Sequence, residues 1–243
     1  MKIKRKFLLM IIFSVFITQT VLAAHTNNYP NSFTEFRDSV YLQNKSLHEI
    51  MRLYAAAKQE IEKSFSSADK YLLLARCEYL MGITFRVENR NSEAAACFEQ
   101  GITRAEEAVK IRPTSEGYRL LGTNISFLCE VKTTYGLKNF KKIEENARKA
   151  LELDPDNLTA HYLIAAFYIS APWPVCDVKK GFSLLEEIMK RNYTGLDWED
   201  QFNLFLMLQA GCIKLKNIKE AERWRDRCTA IYPSNNFIKF LIK

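Results

Sequence analysis

Glycine and proline are scarce in this chain, eight and six among 243 residues. An all-β fold with many tight turns draws heavily on both, so the scarcity argues against one. Histidine is scarcer still, with only His25, His48 and His161. A hydrolase that needs a nucleophile, a base and an orienting acid has little to work with. The stretch "HEIMR" at 48–52 begins like a zinc-protease helix but ends in Arg52, so the second metal ligand is missing. There is no G-x-G-x-x-G, no G-x-S-x-G and no phosphate loop. Adjacent carboxylates, Glu106 with Glu107 and Glu186 with Glu187, read as solvated helix faces. The expectation is a protein without catalytic residues, metal or cofactor.

Close cysteine pairs are also lacking. The six cysteines, Cys77, Cys97, Cys129, Cys176, Cys212 and Cys228, contain no C-x-x-C, which excludes a thioredoxin-type redox motif and a zinc knuckle. Most lie among apolar helical neighbours and read as small buried hydrophobes. Disulfide pairing stays open, because the N-terminus points to an oxidising compartment.

That N-terminus is "MKIKRK", an apolar run from Phe7 to Ile17 broken only by Ser14, then "TQTVLAA". A basic start, a short apolar core and a small-residue end have the form of a secretory signal peptide, residues 1–23, with cleavage expected after Ala23 or Ala24. The apolar core is too short for the roughly 20 residues of a spanning helix. No cysteine precedes Cys77, so this segment offers no lipoprotein anchor. The mature chain is expected in the periplasm or outside the cell, touching a membrane only if the segment is retained. The formal charge of +7 falls to +3 when Lys2, Lys4, Arg5 and Lys6 are taken away. Spread over the remaining chain without aromatic interleaving, that surplus does not suggest nucleic-acid binding.

What is abundant is alanine, leucine, glutamate and lysine in long stretches, which predicts an all-α fold. The stretches "AVKIRPTS" at 108–115, "ALELDPDN" at 150–157 and "CTAIYPSN" at 228–235 each end a helical pattern at a proline. Pro113 and Pro155 are 42 apart, and Pro155 and Pro233 are 78 apart, nearly twice as far. "MKRNYTGLD" at 189–197 fills the gap as a copy without its proline. Recurrence near 40 residues is the mark of a helical repeat.

Within the units, Phe205, Leu208, Cys212, Ala221, Cys228 and Pro233 fall where a tetratricopeptide repeat carries W, L, Y, A, A and P. Glu78, Met81, Gly82 and Phe85 with Ala94, Phe98 and Gly101 make a second copy. Leu121 and Gly122 with Ile143, Ala147, Ala150 and Pro155 make a third, and His161, Ile164, Ala165 and Tyr168 begin a fourth. Over about 75–235 the sequence resembles the tetratricopeptide repeat (TPR) family. That resemblance implies a right-handed α-solenoid of about four helix pairs. From Gly122 to Pro155 is 33 residues, about nine more than the consensus allows. Continued as helix, nine residues would add roughly 13 Å to one pair. Lengthened repeats of this kind are similar to those of exported bacterial TPR proteins. A looser resemblance, to the T component of TRAP transporters, implies instead an accessory subunit binding a small ligand or a solute-binding protein.

A stacked array of helix pairs has a concave face lined by the first helix of each pair, suited to a peptide or a partner helix. The repeat phase puts Arg76, Tyr79, Arg86, Arg119, Phe127, Tyr162, Leu163, Asn203 and Met207 on that face. All but Leu163 are the candidate partner-binding residues, expected to be exposed. The partner is expected to be a protein or peptide of the cell envelope.

"SAPWPVCDVKKG" at 170–181 reads as a turn between helices 157–171 and 178–191. Pro172 and Pro174 cannot continue a helix. Asp177 is placed to cap the next one, and Trp173 is expected to fold over the helix ends. In "SLHEIMRLYAAAKQEIEKSF", Leu47, Ile50, Tyr54, Ala57, Ile61 and Phe65 form one apolar stripe, predicting an N-terminal capping helix. Residues 24–45 before it are expected to be a flexible segment, and 46–243 the repeat domain. A short closing helix is expected over the last eight residues.

Overall fold

A computed structural model describes residues 29–237. The signal segment, His25 and most of the expected closing helix lie outside the described residues. Among those described, all regular structure is helical: α1 (Asn31–Leu42), α2 (Leu47–Ser64), α3 (Ser67–Val87), α4 (Asn91–Ile111), α5 (Ser115–Val131), α6 (Thr133–Asn139), α7 (Lys141–Leu153), α8 (Leu158–Ser170), α9 (Val178–Lys190), α10 (Trp198–Lys214) and α11 (Ile218–Ile231), with one 3-10 turn at Tyr193–Gly195.

The helix ends follow from local chemistry. Ser46 accepts a bond from the Glu49 amide while the Glu49 carboxylate accepts from the Ser46 amide, a reciprocal capping box that starts α2. Thr114, Asn157, Asp177 and Asn217 cap α5, α8, α9 and α11 through their side-chain oxygens. Helices α4, α7 and α11 each stop two residues before a proline, Pro113, Pro155 and Pro233.

Packed as α3/α4, α5/α7, α8/α9 and α10/α11, the helices form an α-solenoid of four TPR-like pairs. Gly82 shows why the repeat asks for a small residue. A Cβ there would collide with the ring of the fully buried Phe98, so Gly82 sets how closely α3 approaches α4. Helix α3 is buried along nearly its whole circumference, from Leu73 to Phe85, because α1, α2, α4 and α5 all pack on it.

The structure corrects the sequence reading in four places. Residues 31–42, expected within a flexible segment, form α1 and bury Phe33, Phe36, Val40 and Tyr41. The N-terminal cap is thus a hairpin of α1 and α2 rather than one helix. The extra residues of the second unit do not lengthen a helix pair. The chain breaks after α5 and inserts α6, with Gly136 lying so close to the Cys129 backbone that an added Cβ would sit 2.9 Å from its carbonyl oxygen. Trp173 does not fold over the helix ends and is 89% exposed, since the turn at 171–177 holds it away from both helices.

The fourth correction concerns overall form. Helix α1 reaches the far end of the array and closes it on itself. The Tyr41 ring packs against Phe202 of α10 and against Tyr232, with centroids 5.8 and 5.3 Å away. Asn235 donates to the Tyr41 carbonyl at 2.7 Å, and the Asn236 amide donates to the Gln43 side chain at 2.8 Å. Burying one such aromatic side chain contributes about 1.5–3 kcal/mol. The three aromatics of this junction therefore make a substantial clasp.

A candidate binding cavity between the first helices

Closure turns the expected open face into a cavity of about 400 Å³. Its walls come from α3, α5, α8 and α10, the first helix of each pair, with α6 and the start of α7 completing one side. Tyr79, Arg119, Phe127, Tyr162, Asn203 and Met207, six of the eight candidate residues, line it together, as does Leu163. The deep side carries buried Tyr79, Arg119 and Glu199; the open side carries exposed Leu137 and Pro172.

Three of the expected contact residues are buried and already engaged, which corrects the expectation that they are free. Arg76 is 5% exposed and bonds Glu199 at 2.8 Å, with Asp197 at 3.6 Å. It also donates to the Tyr29 hydroxyl and lies over that ring, 5.1 Å from its centroid. Arg76 takes no part in lining the cavity; it ties α3 to α10. Tyr79 is equally buried, its hydroxyl 3.2 Å from that of Tyr41, which in turn accepts from Asn203 at 3.0 Å. Arg119 grips Glu116 through two bonds, 2.7 and 2.5 Å. Arg76 and Tyr79 are engaged because Glu199 of α10 and Tyr41 of α1 reach the face that an open array would leave in solvent, whereas Arg119 is held by its own helix. Arg86 stands outside the lining, paired with Glu130 at 2.6 Å and stacked over Phe127 at 5.7 Å.

What remains accessible is Phe127, Tyr162, Asn203 and Met207, all half-buried. Phe127 meets Tyr79 edge-on at 5.2 Å. Tyr162 makes no hydrogen bond among the described residues, and burial raises its phenol well above the usual value. Among the lining residues missed in the sequence are Glu199 and Asp200, in "WEDQF". They read as ordinary acids of a helix first turn. The signal that could have found Asp200 is its spacing, three before Asn203 and seven before Met207, on one helical face. Its carboxyl is pushed up to about 7, first by burial and then by Glu199, against the opposing pull of Arg76 and Arg119.

The two described histidines, His48 and His161, do not gather into a site. His161 Nε2 lies 2.9 Å from the Pro155 carbonyl oxygen and 3.2 Å from the Arg191 guanidinium, and bonds one of them at a time, while His48 lies on α2. Among the described residues no three metal-type ligands cluster, and no helix is long and apolar enough to cross a membrane. All six cysteines are free, with Cys77, Cys97, Cys212 and Cys228 buried.

No family model matches the sequence, and no curated protein matches it. Among solved structures, the chain is similar to YrrB, a TPR protein with an unusual peptide-binding site. The identity is 14%, covering 84% of this chain and 89% of that one, with a TM-score of 0.37. It is also similar to a putative kinesin light chain of Podosopora anserina with nearly identical TPR-like repeats, at 14% identity over 84% of this chain and 96% of that one, with a TM-score of 0.40.

Proposed function

We propose that this chain is an exported, non-enzymatic interaction protein of the cell envelope, which receives a segment of a protein or peptide partner in the cavity between its first helices. The observation that carries the reading is convergence. Six residues chosen from repeat phase alone, on four helices from Tyr79 to Met207, border one cavity. Its volume of about 400 Å³ lies within the range of ligand sites. Export rests on the basic, apolar and small-residue order of residues 1–23. Absence of enzymatic function is the reading that best suits His48 and His161, which stand apart from the cavity and from each other.

A second reading, an accessory of the TRAP T-component kind that holds a small ligand, draws on a separate observation. Helices α3, α5, α8 and α10 surround the cavity, and Phe127, Phe140, Leu163, Phe167 and Met207 make its sides largely apolar. An open groove for an extended peptide would be shallower and wetter.

A photo-crosslinking residue at 137, on the open side, should capture one partner from an envelope extract. The same residue at 111, at the exposed end of α4, should not. Capture should disappear with Tyr162→Ala. Equal capture from both positions would place the partner on another face and overturn the proposal.

A further inference from the structure

The charges around the cavity do not cancel. Arg76 is matched to Glu199 and Asp197, Arg86 to Glu130 and Arg119 to Glu116. Asp200 is left over: it lines the cavity and has neither a hydrogen bond nor an ion pair among the described residues. Close by is the Tyr162 hydroxyl, likewise unengaged, which feels the Asp200 charge. Asp200 is half-buried, and a carboxylate partly withdrawn from water costs free energy unless something cationic or hydrogen-bonding meets it. Beside these two polar groups stand apolar side chains, Phe127, Leu163 and Met207, and on the open side the 72%-exposed Leu137.

We infer that the cavity selects a primary ammonium carried on an apolar stem, with the cation at the Asp200 carboxylate and the Tyr162 hydroxyl and the stem along Phe127, Leu163 and Met207. An alkylammonium has three donors in a compact head, which suits one carboxylate and one phenolic oxygen at once. A carboxylate ligand would meet Asp200 and Glu199 as like charges and is disfavoured. This inference rests on the cavity being the binding site and adds the chemistry of what enters it. The ammonium can belong to a free amine or to a lysine side chain of a partner peptide.

Asp200 is faced by Glu199 on its own helix, by Arg76 of α3, and by Arg119 and Glu116 of α5. Its carboxyl, titrating near neutrality, must be ionised to hold a cation, so binding should strengthen as pH rises from about 6 to about 8.

Calorimetric titration of the mature chain with phenylbutylammonium, phenylbutanol and phenylbutanoate tests the idea. The ammonium should bind about tenfold more tightly than the alcohol, a difference of roughly 1.4 kcal/mol, and the carboxylate weakest. Asp200→Asn should remove the preference for ammonium over alcohol. Tyr162→Phe, which keeps the ring, should reduce the preference in part. Equal binding of ammonium and alcohol would overturn the charge selection while leaving the cavity as a site. Failure of all three to bind would overturn the cavity reading as well. A capped peptide of leucines around one lysine, compared with its norleucine counterpart, separates the two sources. Preference for the lysine peptide over free amine assigns the ammonium to a partner side chain; the reverse assigns it to a small amine.

Discussion

At the scale of single residues, Asp200 is where structure and pH meet. In the folded chain its carboxyl titrates at about 7, against roughly 3.9 in an unfolded chain. Between those values the folded state holds a proton that the unfolded state has released. Stability contributed by the neutral carboxyl is therefore complete below about pH 4 and is lost as pH rises through about 7. Asp200→Asn keeps a neutral group at every pH. Its thermal midpoint should match wild type near pH 4 and exceed it near pH 8, by an effect on the order of 1 kcal/mol. For a chain of this size that corresponds to roughly 2–4 °C. Equal midpoints at both pH values would mean that Asp200 is solvated like any surface acid. Arg119 shows the other side of residue-scale reading. Repeat phase placed it on the inner face, and it is there, but the bidentate grip of Glu116 three residues earlier makes it part of the wall.

At the scale of helices, much of the architecture was legible because its signals are local. Prolines after α4, α7 and α11, side-chain caps at Asn157 and Asp177, and small residues where helices cross all act within a few residues of themselves. Ala150 is one such small residue, fully buried on α7, which packs against α5 and α8. Ala150→Phe should overpack that contact and cost about 1–3 kcal/mol in chemical denaturation. An unchanged midpoint would mean that the repeat phase is misplaced. Two helices were not legible, for different reasons. In α1 the apolar positions Phe33, Phe36, Val40 and Tyr41 are present, but the polar residues before them read as a tail. What buries Tyr41 is Phe202 and Tyr232, more than 160 residues away, and no local pattern carries such a contact. Helix α6 was concealed by the assumption that surplus length continues a helix. The close approach of Gly136 to Cys129 folds that surplus back beside the cavity instead.

At the scale of the whole molecule, closure decides what the inner surface can do. The buried pair of Arg76 and Glu199 joins α3 to α10 across the array, with side chains 6% and 3% exposed. Removing one partner strands the other charge, so Arg76→Met should cost about 3–5 kcal/mol. Arg76→Met with Glu199→Leu should recover most of that loss, because replacing both charges by apolar groups is often near neutral. A double variant as unstable as the single one would show that the pair is indispensable rather than merely matched. Closure also separates the inside of the array from the outside by residue, and the methionines report on both. Met207 lines the cavity, while Met51 on α2 is 45% exposed and takes no part in it. The most direct test of the central claim is a methyl NMR titration of the mature chain, labelled at methionine, with phenylbutylammonium. A cavity between the first helices predicts a saturable shift of the Met207 methyl with Met51 unmoved. Movement of Met51 with Met207 unchanged would place binding on the outer surface and contradict the account.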